Sequence, residues 1–485
     1  MGNLKDSNVD MQRKYRPFIN IWEHRSQDFK NLIRMLMTLI RQGDDSTSQS
    51  SGELSLRRFE NLLNGWKKAQ KIIADELITR LSLIEQLEKD KRLAHAEKKY
   101  DMKQKCILDV MKNKSEINIL RRCVDSIVWT MLHNEHSSIR RLPINGSPDN
   151  LSVYNINDSM RVANDINANP MAVAIITDIT TFVHTGDLLA LIPQQGTALI
   201  EIKSGKKNIE FSEAAKFSVL SECPHFDDVY TKDFDSKDLK HYERTKNQVK
   251  RAQNVVEAIE TGEGFDNYFQ RQVKIQDRNF IPEFYTDKII DLWHQIYNGK
   301  LWAIADVNEC LFIGAYNNSD MGFCGFNAWM DGCEISGTVF NILDSFSDAL
   351  SRPFFSLNLP EKLLLDIISG DLIIVLCFDH ALFAKRANKK YPGIYNIVEF
   401  PTSMNDASTM LSVNGKGISS SVDGTDVFIG GGYEARIIFD QHCPDSLIDW
   451  SYKMSDLKKE VDKKARILRK KAHKKVKASR KCSRK

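Results

Sequence analysis

Two short apolar runs, Leu188–Ile192 and Thr197–Ile202, lie on either side of Pro193-Gln194-Gln195-Gly196. Runs of this length bounded by Pro and Gly predict a hairpin of buried strands. A helix cannot pass through the break, because Pro193 has no amide hydrogen to donate and Gly196 favours turn geometry. The middle of the chain is therefore committed to sheet. Side chains alternate across a strand, so Glu201 and Lys203 are expected on one face and Ile200 and Ile202 on the other. Asp187 opens the first strand, and the hairpin brings its carboxylate within reach of the Glu201/Lys203 pair.

That arrangement has a chemical use. Two carboxylates hold a hard divalent cation such as Mg²⁺ through oxygen, and the cation polarises a phosphodiester and lowers the pKa of a bound water. Lys203 adds a positive charge where charge develops on phosphorus. With Gly186-Asp187 in the place of Pro-Asp and Glu201-Ile202-Lys203 as the E-x-K, the sequence resembles the PD-(D/E)xK nuclease superfamily, the restriction-endonuclease-like fold, from about Ile117 to Ile259. The resemblance implies a metal-dependent phosphodiesterase core, with Asp187 and Glu201 as metal ligands, Lys203 assisting attack, and Mg²⁺ or Mn²⁺ as cofactor. Asp178 is a second candidate for the metal acid. Its longer separation from Glu201 includes an extra segment, so Asp187 is favoured.

The same resemblance directs attention to two helices. Members of the superfamily place an acid on a helix ahead of the Asp strand, and the helix expected from Glu116 to His133 carries Asp125, with Glu135 as rival just beyond it. A helix after the E-x-K strand supplies a Gln or a basic residue to the site or to the DNA backbone. The charged helix expected over Leu239–Ile259 offers Gln248 or Arg251 for that role, among Arg244, Lys246 and Lys250.

At 485 residues the chain is long enough for two or three domains. No uncharged span of membrane length occurs, since the longest apolar stretch, Leu363–Phe378, is interrupted by Asp366, Gly370 and Asp371. The first residues lack the apolar core of a signal peptide. Nine cysteines without a C-x-x-C pair point to reduced thiols, and a cytoplasmic location is expected. Charge is distributed unevenly: Lys458–Lys485 carries fifteen Lys or Arg against Glu460 and Asp462, a net +13 that leaves −9 on the rest of a chain totalling +4. A tail of this kind binds phosphates without reading bases, which makes nucleic acid, DNA in the first place, the expected partner.

The expected class is a multidomain α+β protein. A helical region over 1–112 contains a helix from Phe18 to Arg41, a polar linker, a capping box at Ser50-x-x-Glu53, and a stripe of Leu62, Trp66, Ala69, Ile73, Leu77, Leu81, Ile84 and Leu87. The stripe is long enough for a coiled coil, and is expected to mediate self-association, to dock a partner protein, or to fold back on other helices. The nuclease-like core follows over 113–265 and begins its sheet with a strand near Met171–Ile176. Over 280–450 short apolar runs broken by Gly, Asn and Asp predict an α+β domain with a mostly β core: Leu301–Ala305, Leu311–Ala315, Leu372–Phe378, Ile394–Phe400, Val427–Ile429 and Ala435–Phe439, with one helix near Val339–Leu350. Gly430-Gly431-Gly432 matches no phosphate-binding pattern and reads as a turn, and His380 reads as structural. The basic tail occupies 456–485. The leading expectation is thus a DNA-cleaving, metal-dependent endonuclease, with defence against foreign DNA as a setting its architecture would fit. The competing one is a non-catalytic nucleic-acid-binding or assembly protein built on a nuclease-like core.

Overall fold

The structure, a computed structural model, describes residues 14–453 except 20, 23–24, 45–53, 144–150, 204, 222, 224, 268–269, 275–280, 402–406 and 423–424. The capping box at Ser50–Glu53 and the basic tail lie outside the described residues. The chain divides into two compact units, Ser26–Arg278 with Ser345–Leu357, and Met1–Arg25 with Asn279–Asp344 and Asn358–Lys485. Both mix helix and sheet, so the class is α+β. Among the described residues no helix is long and apolar enough to cross a membrane.

The first unit begins with α1 (Gln27–Gln42), whose N-terminus is capped by Ser26 Oγ accepting from Phe29 N at 3.3 Å. The single helix expected from Phe18 to Arg41 is therefore interrupted: Arg16–Phe18 is a 3₁₀ turn, and Phe18 belongs to the other unit. Two long helices follow, α2 (Leu54–Ala96) and α3 (Tyr100–Met131), joined by a three-residue link that makes them an antiparallel hairpin. The apolar stripe of α2 is spent inside its own chain. Trp66, Ala69, Ile73 and Leu77 are fully covered, and Trp66 Nε1 donates to Ile40 O at 2.9 Å, while Leu62 at the start of the stripe is only half-buried and its neighbour Leu63 is covered. Leu81, Ile84 and Leu87, further along, are only half-buried.

The boundary expected near 112 falls inside α3, and the helical region and the sheet that follows are parts of one unit. From Glu116 onward α3 is buried on every side, the signature of a helix that forms the centre of a unit rather than its surface. After α4 (His136–Ile139) and α5 (Val153–Asn167) comes an antiparallel three-stranded sheet in the order β1 (Val173–Ile176), β2 (Leu188–Ile192), β3 (Gly196–Ile200). The outer edge of β1 is closed by side-chain amides. Gln70 of α2 donates to Ala174 O and accepts from Ile176 N, at 2.9 and 2.8 Å, while Asn167 Oδ1 accepts from Ala174 N. An edge strand satisfied in this way offers no ladder to another chain. Helices α6 (Lys206–Ser221), α7 (Phe226–Tyr230) and α8 (Ser236–Thr261) follow β3. Gly262, at φ +79°, then ends α8 and leads into the hairpin of β4 (Glu263–Asp266) and β5 (Arg271–Lys274).

In the second unit, α9 (Thr286–Tyr297) precedes a four-stranded antiparallel sheet ordered β6 (Trp302–Val307), β7 (Leu311–Tyr316), β9 (Ile373–Phe378), β8 (Thr338–Asn341). The helix α10 (Ser319–Gly332) packs on it through Phe326 and Met330, in a cluster with Phe18, Phe312, Tyr316 and Val375. The long apolar stretch splits into α11 (Glu361–Ser369) and β9, separated by Gly370 at φ +90°. A second sheet joins β10 (Tyr395–Val398), β12 (Lys416–Val422) and β11 (Ser412–Val413), with β13 (Thr425–Phe428) on β12. Two expectations are corrected here. Val339 lies in a strand followed by a 3₁₀ turn over Ile342–Phe346. Ala435–Phe439 lies at the end of a helix, α13 (Gly432–Ile438), because its apolar residues Ile437 and Ile438 face the core from one turn. His380 opens α12 (His380–Lys390) with both ring nitrogens engaged, by Ser412 O at 3.0 Å and Glu434 Oε1 at 3.1 Å, as a structural histidine would be.

Candidate functional site

The hairpin pairs Leu188 with Ile200 and Ile192 with Gly196, so Asp187 stands one residue before the paired region and Glu201 one residue after it. Gly186 precedes Asp187 at φ +76°, a conformation that favours glycine, and a Cβ there would press on Ile200 O at 3.3 Å. Both backbone groups of Asp187 are used: its amide donates to Ile200 O at 2.8 Å, and its carbonyl accepts from Thr177 N at 3.0 Å. The side chain is thereby held at the end of the sheet, where Oδ2 accepts from Ile202 N at 2.5 Å.

That last contact changes how the E-x-K segment is built. The strand expected to run through Ile202 ends at Ile200, and the Asp187 carboxylate takes over the amide of Ile202 that a further ladder bond would have used. Glu201 and Lys203 nevertheless turn to the same side, with Lys203 Nζ 3.3 Å from Glu201 Oε2. Lys203 Nζ also donates to Gln248 Oε1 on α8 at 3.0 Å. Three of the five expected site residues, Glu201, Lys203 and Gln248, are therefore bonded together, and Asp187 stands beside them with its carboxylate on the Ile202 amide, within the field of Glu201 and Lys203. Arg251, the alternative on that helix, is exposed.

The group carries more negative than positive charge. Burial pushes the Asp187 carboxyl up to about 6; the Ile202 amide opposes that rise, Glu201 adds to it, Lys203 opposes it and Asp178 adds to it. Asp178 thus acts on Asp187 through its field. Among the described residues no three His, Cys, Asp or Glu side chains form a metal cluster. Two carboxylates with an unbalanced charge fit an ion that keeps its waters and takes further oxygens from a phosphate, the habit of Mg²⁺ and Mn²⁺, and do not fit an all-protein zinc or calcium cage.

Asp125 is the exception, and its assignment as a site acid is corrected. It is completely buried on α3, where Oδ2 accepts from Arg122 Nη1 at 2.9 Å and Thr181 Oγ1 at 2.6 Å, and Oδ1 accepts from Thr181 N at 2.9 Å. Three of its roughly four acceptor positions are thus taken by the protein, and its charge is already paired with Arg122, so it is committed to holding the fold rather than an ion. What it does hold is the 177–187 segment, the loop that delivers Asp187. Arg121 Nε grips the same segment through Thr180 O at 3.0 Å, and Thr177 Oγ1 closes it on Gly186 O at 2.5 Å. Glu135, the rival, accepts from Ser138 Oγ in its own turn.

Sequence reasoning passed over this threonine set, although Thr177, Thr180 and Thr181 stand out, with Asp178, in an otherwise apolar segment over Val173–Val183. It also passed over Asp227. That carboxylate accepts from Ser218 Oγ on α6 at 2.8 Å, from Tyr242 Oη on α8 at 2.7 Å and from Lys246 Nζ, and these three bonds hold its pKa below the usual carboxylate range despite the opposing effect of burial. Three helices meet at this one side chain of α7, and its partner Lys246 lies two residues before Gln248 on α8. No protein-family model, no curated protein and no solved structure matches the chain.

Proposed function

We propose that the protein is a metal-dependent nuclease that hydrolyses phosphodiester bonds of DNA. The observation that carries this reading is the convergence of Asp187, Glu201 and Lys203 at the end of one hairpin, with Gln248 of α8 bonded to Lys203 at 3.0 Å. Asp187 and Glu201 would hold a Mg²⁺ or Mn²⁺ ion, which supplies polarisation of the phosphodiester and an acidified water. Asp187 is suited to this because both its neighbours in the sheet fix its backbone, so the carboxylate is placed before substrate arrives. Lys203 presents its ammonium beside the acids, where it would stabilise charge accumulating on a non-bridging oxygen of phosphorus. Gln248 orients that ammonium from a separate helix.

The test is incubation of the purified full chain with single- and double-stranded DNA and RNA, with and without Mg²⁺ or Mn²⁺. Cation-dependent cutting of DNA is expected. Undiminished cutting by Glu201→Ala, with circular dichroism of the native form, would overturn the assignment.

A further inference from the structure

Glu201 Oε2 already has a cationic neighbour. Lys203 Nζ lies 3.3 Å from it, and the two side chains are 20% and 18% exposed, so solvent weakens the attraction without abolishing it. An ion that enters between Asp187 and Glu201 and uses Oε2 would meet an oxygen that the ammonium already approaches. Lys203 has a second partner that carries no charge, Gln248 Oε1 at 3.0 Å, on a helix that Asp227 fastens to its neighbours.

We propose that Lys203 is the internal occupant of the cation position on Glu201, that a divalent ion must displace it, and that Gln248 provides the neutral place to which the ammonium retires. This rests on the nuclease reading of the site. Lysine and ion then compete for one carboxylate oxygen, and by linkage each weakens the other's hold by the same factor. The two variants that disturb this balance act in opposite directions. Lys203→Met keeps the stem and removes the charge, leaving Glu201 uncompensated and open to the ion. Gln248→Leu keeps the charge and removes its alternative partner, so the ammonium settles on Glu201. A lysine that only braced the fold would give neither the gain nor the reversal.

Titration calorimetry of the full chain with Mn²⁺ alone, with circular dichroism as a check on folding, reads both. Relative to the unaltered protein, Lys203→Met should bind Mn²⁺ about tenfold more tightly, within the range usual for coupled sites, although it no longer cuts DNA, and Gln248→Leu should bind severalfold more weakly. Equal or weaker binding by a folded Lys203→Met overturns the inference. Should that variant not fold, equal or tighter binding by Gln248→Leu overturns it alone. If the unaltered protein binds Mn²⁺ and cuts DNA while either failure is seen, the nuclease reading survives without the competition. If the unaltered protein binds no ion, both fall.

Discussion

Two acid–base pairs in the first unit differ in how completely they are satisfied. Arg122 and Asp125 are 1% and 0% exposed, and nearly every polar atom between them is spent: Asp125 on Thr181 and Arg122, and Arg122 on Ala349 O at 3.1 Å and Ser351 O at 2.6 Å as well. Glu201 and Lys203 are near neighbours at one end of a sheet, partly open to water, with a third partner that is neutral. Charges that have been removed from water and fully bonded serve the architecture, since disturbing them strands a partner. Charges left partly open keep the capacity to bind something else. The difference separates the acid that builds the site from the acids that would act in it.

The comparison breaks first at the buried pair. Asp125→Ala leaves Arg122 as an uncompensated buried charge, which costs about 3–5 kcal/mol, and it also releases Thr181. Urea unfolding of the variant should show that loss. A cost near zero would mean that the pair is not the anchor of the 177–187 segment.

Next in size is the open pair, where the effect moves from stability to chemistry. Glu201→Ala and Lys203→Ala should each lower DNA cleavage by at least about 10²–10³-fold, the usual consequence of deleting a group that stabilises transition-state charge. Their unfolding free energies should change by only about 1 kcal/mol, since a partly exposed pair contributes little to folding. Cleavage rates set beside urea midpoints check the separation. If Glu201→Ala destabilised the fold as much as Asp125→Ala, the two pairs would be alike and the distinction would disappear.

The same contrast explains what could be seen from the sequence. The hairpin, with Asp187 at its start and Glu201 and Lys203 at its end, is legible because it depends on local periodicity and on a turn that Pro and Gly enforce, whereas Gln248 is singled out only by what the resemblance implies. Asp125 was misread for a reason that is also local. A helix acid looks the same in sequence whether it faces an ion or an arginine three residues earlier, and only the packing of α3 on the 177–187 segment decides. The stripe of α2 was legible as apolar but not as to its partner, because Trp66 and Ile73 are covered by distant parts of their own chain. Ala435–Phe439 reads in sequence only as a short apolar run, since five residues are too few to tell a period of two from one of 3.6.

A smaller effect is expected at the contact between the two halves of the comparison. Thr181→Val removes the Oγ1 bond to Asp125 and keeps the backbone bond to Oδ1. Hydrogen bonds to charged groups contribute about 1.5–3 kcal/mol, so the variant should lose that much stability. Combined with Asp125→Ala it should lose almost nothing further, because the partner is already gone. A full additive loss in this double-mutant cycle would show that Thr181 acts through something other than the carboxylate.

The smallest effect concerns Asp187, which stands between the two situations: its backbone is fixed in the sheet, while its side chain belongs to the partly open group. Its carboxyl is raised to about 6 in the folded protein from an ordinary value near 3.8, so between those limits the folded state holds a proton that the unfolded state has released. The sign follows directly. With more protons bound in the folded state, stability from this group falls as pH rises through that window and is recovered as pH drops toward 4. Asp187→Asn cannot titrate, so it should flatten this part of the profile of unfolding free energy against pH while the remaining carboxylates continue to contribute theirs. The difference between the two profiles, measured by urea unfolding from pH 4 to pH 7, isolates Asp187. It is expected to be modest, because the side chain is only partly buried and the solvent it keeps screens the effect. Identical slopes for the two proteins would mean that the folded carboxyl titrates as an unfolded one does, and that Asp187 is not held in the half-buried, acid-rich corner that the hairpin geometry describes.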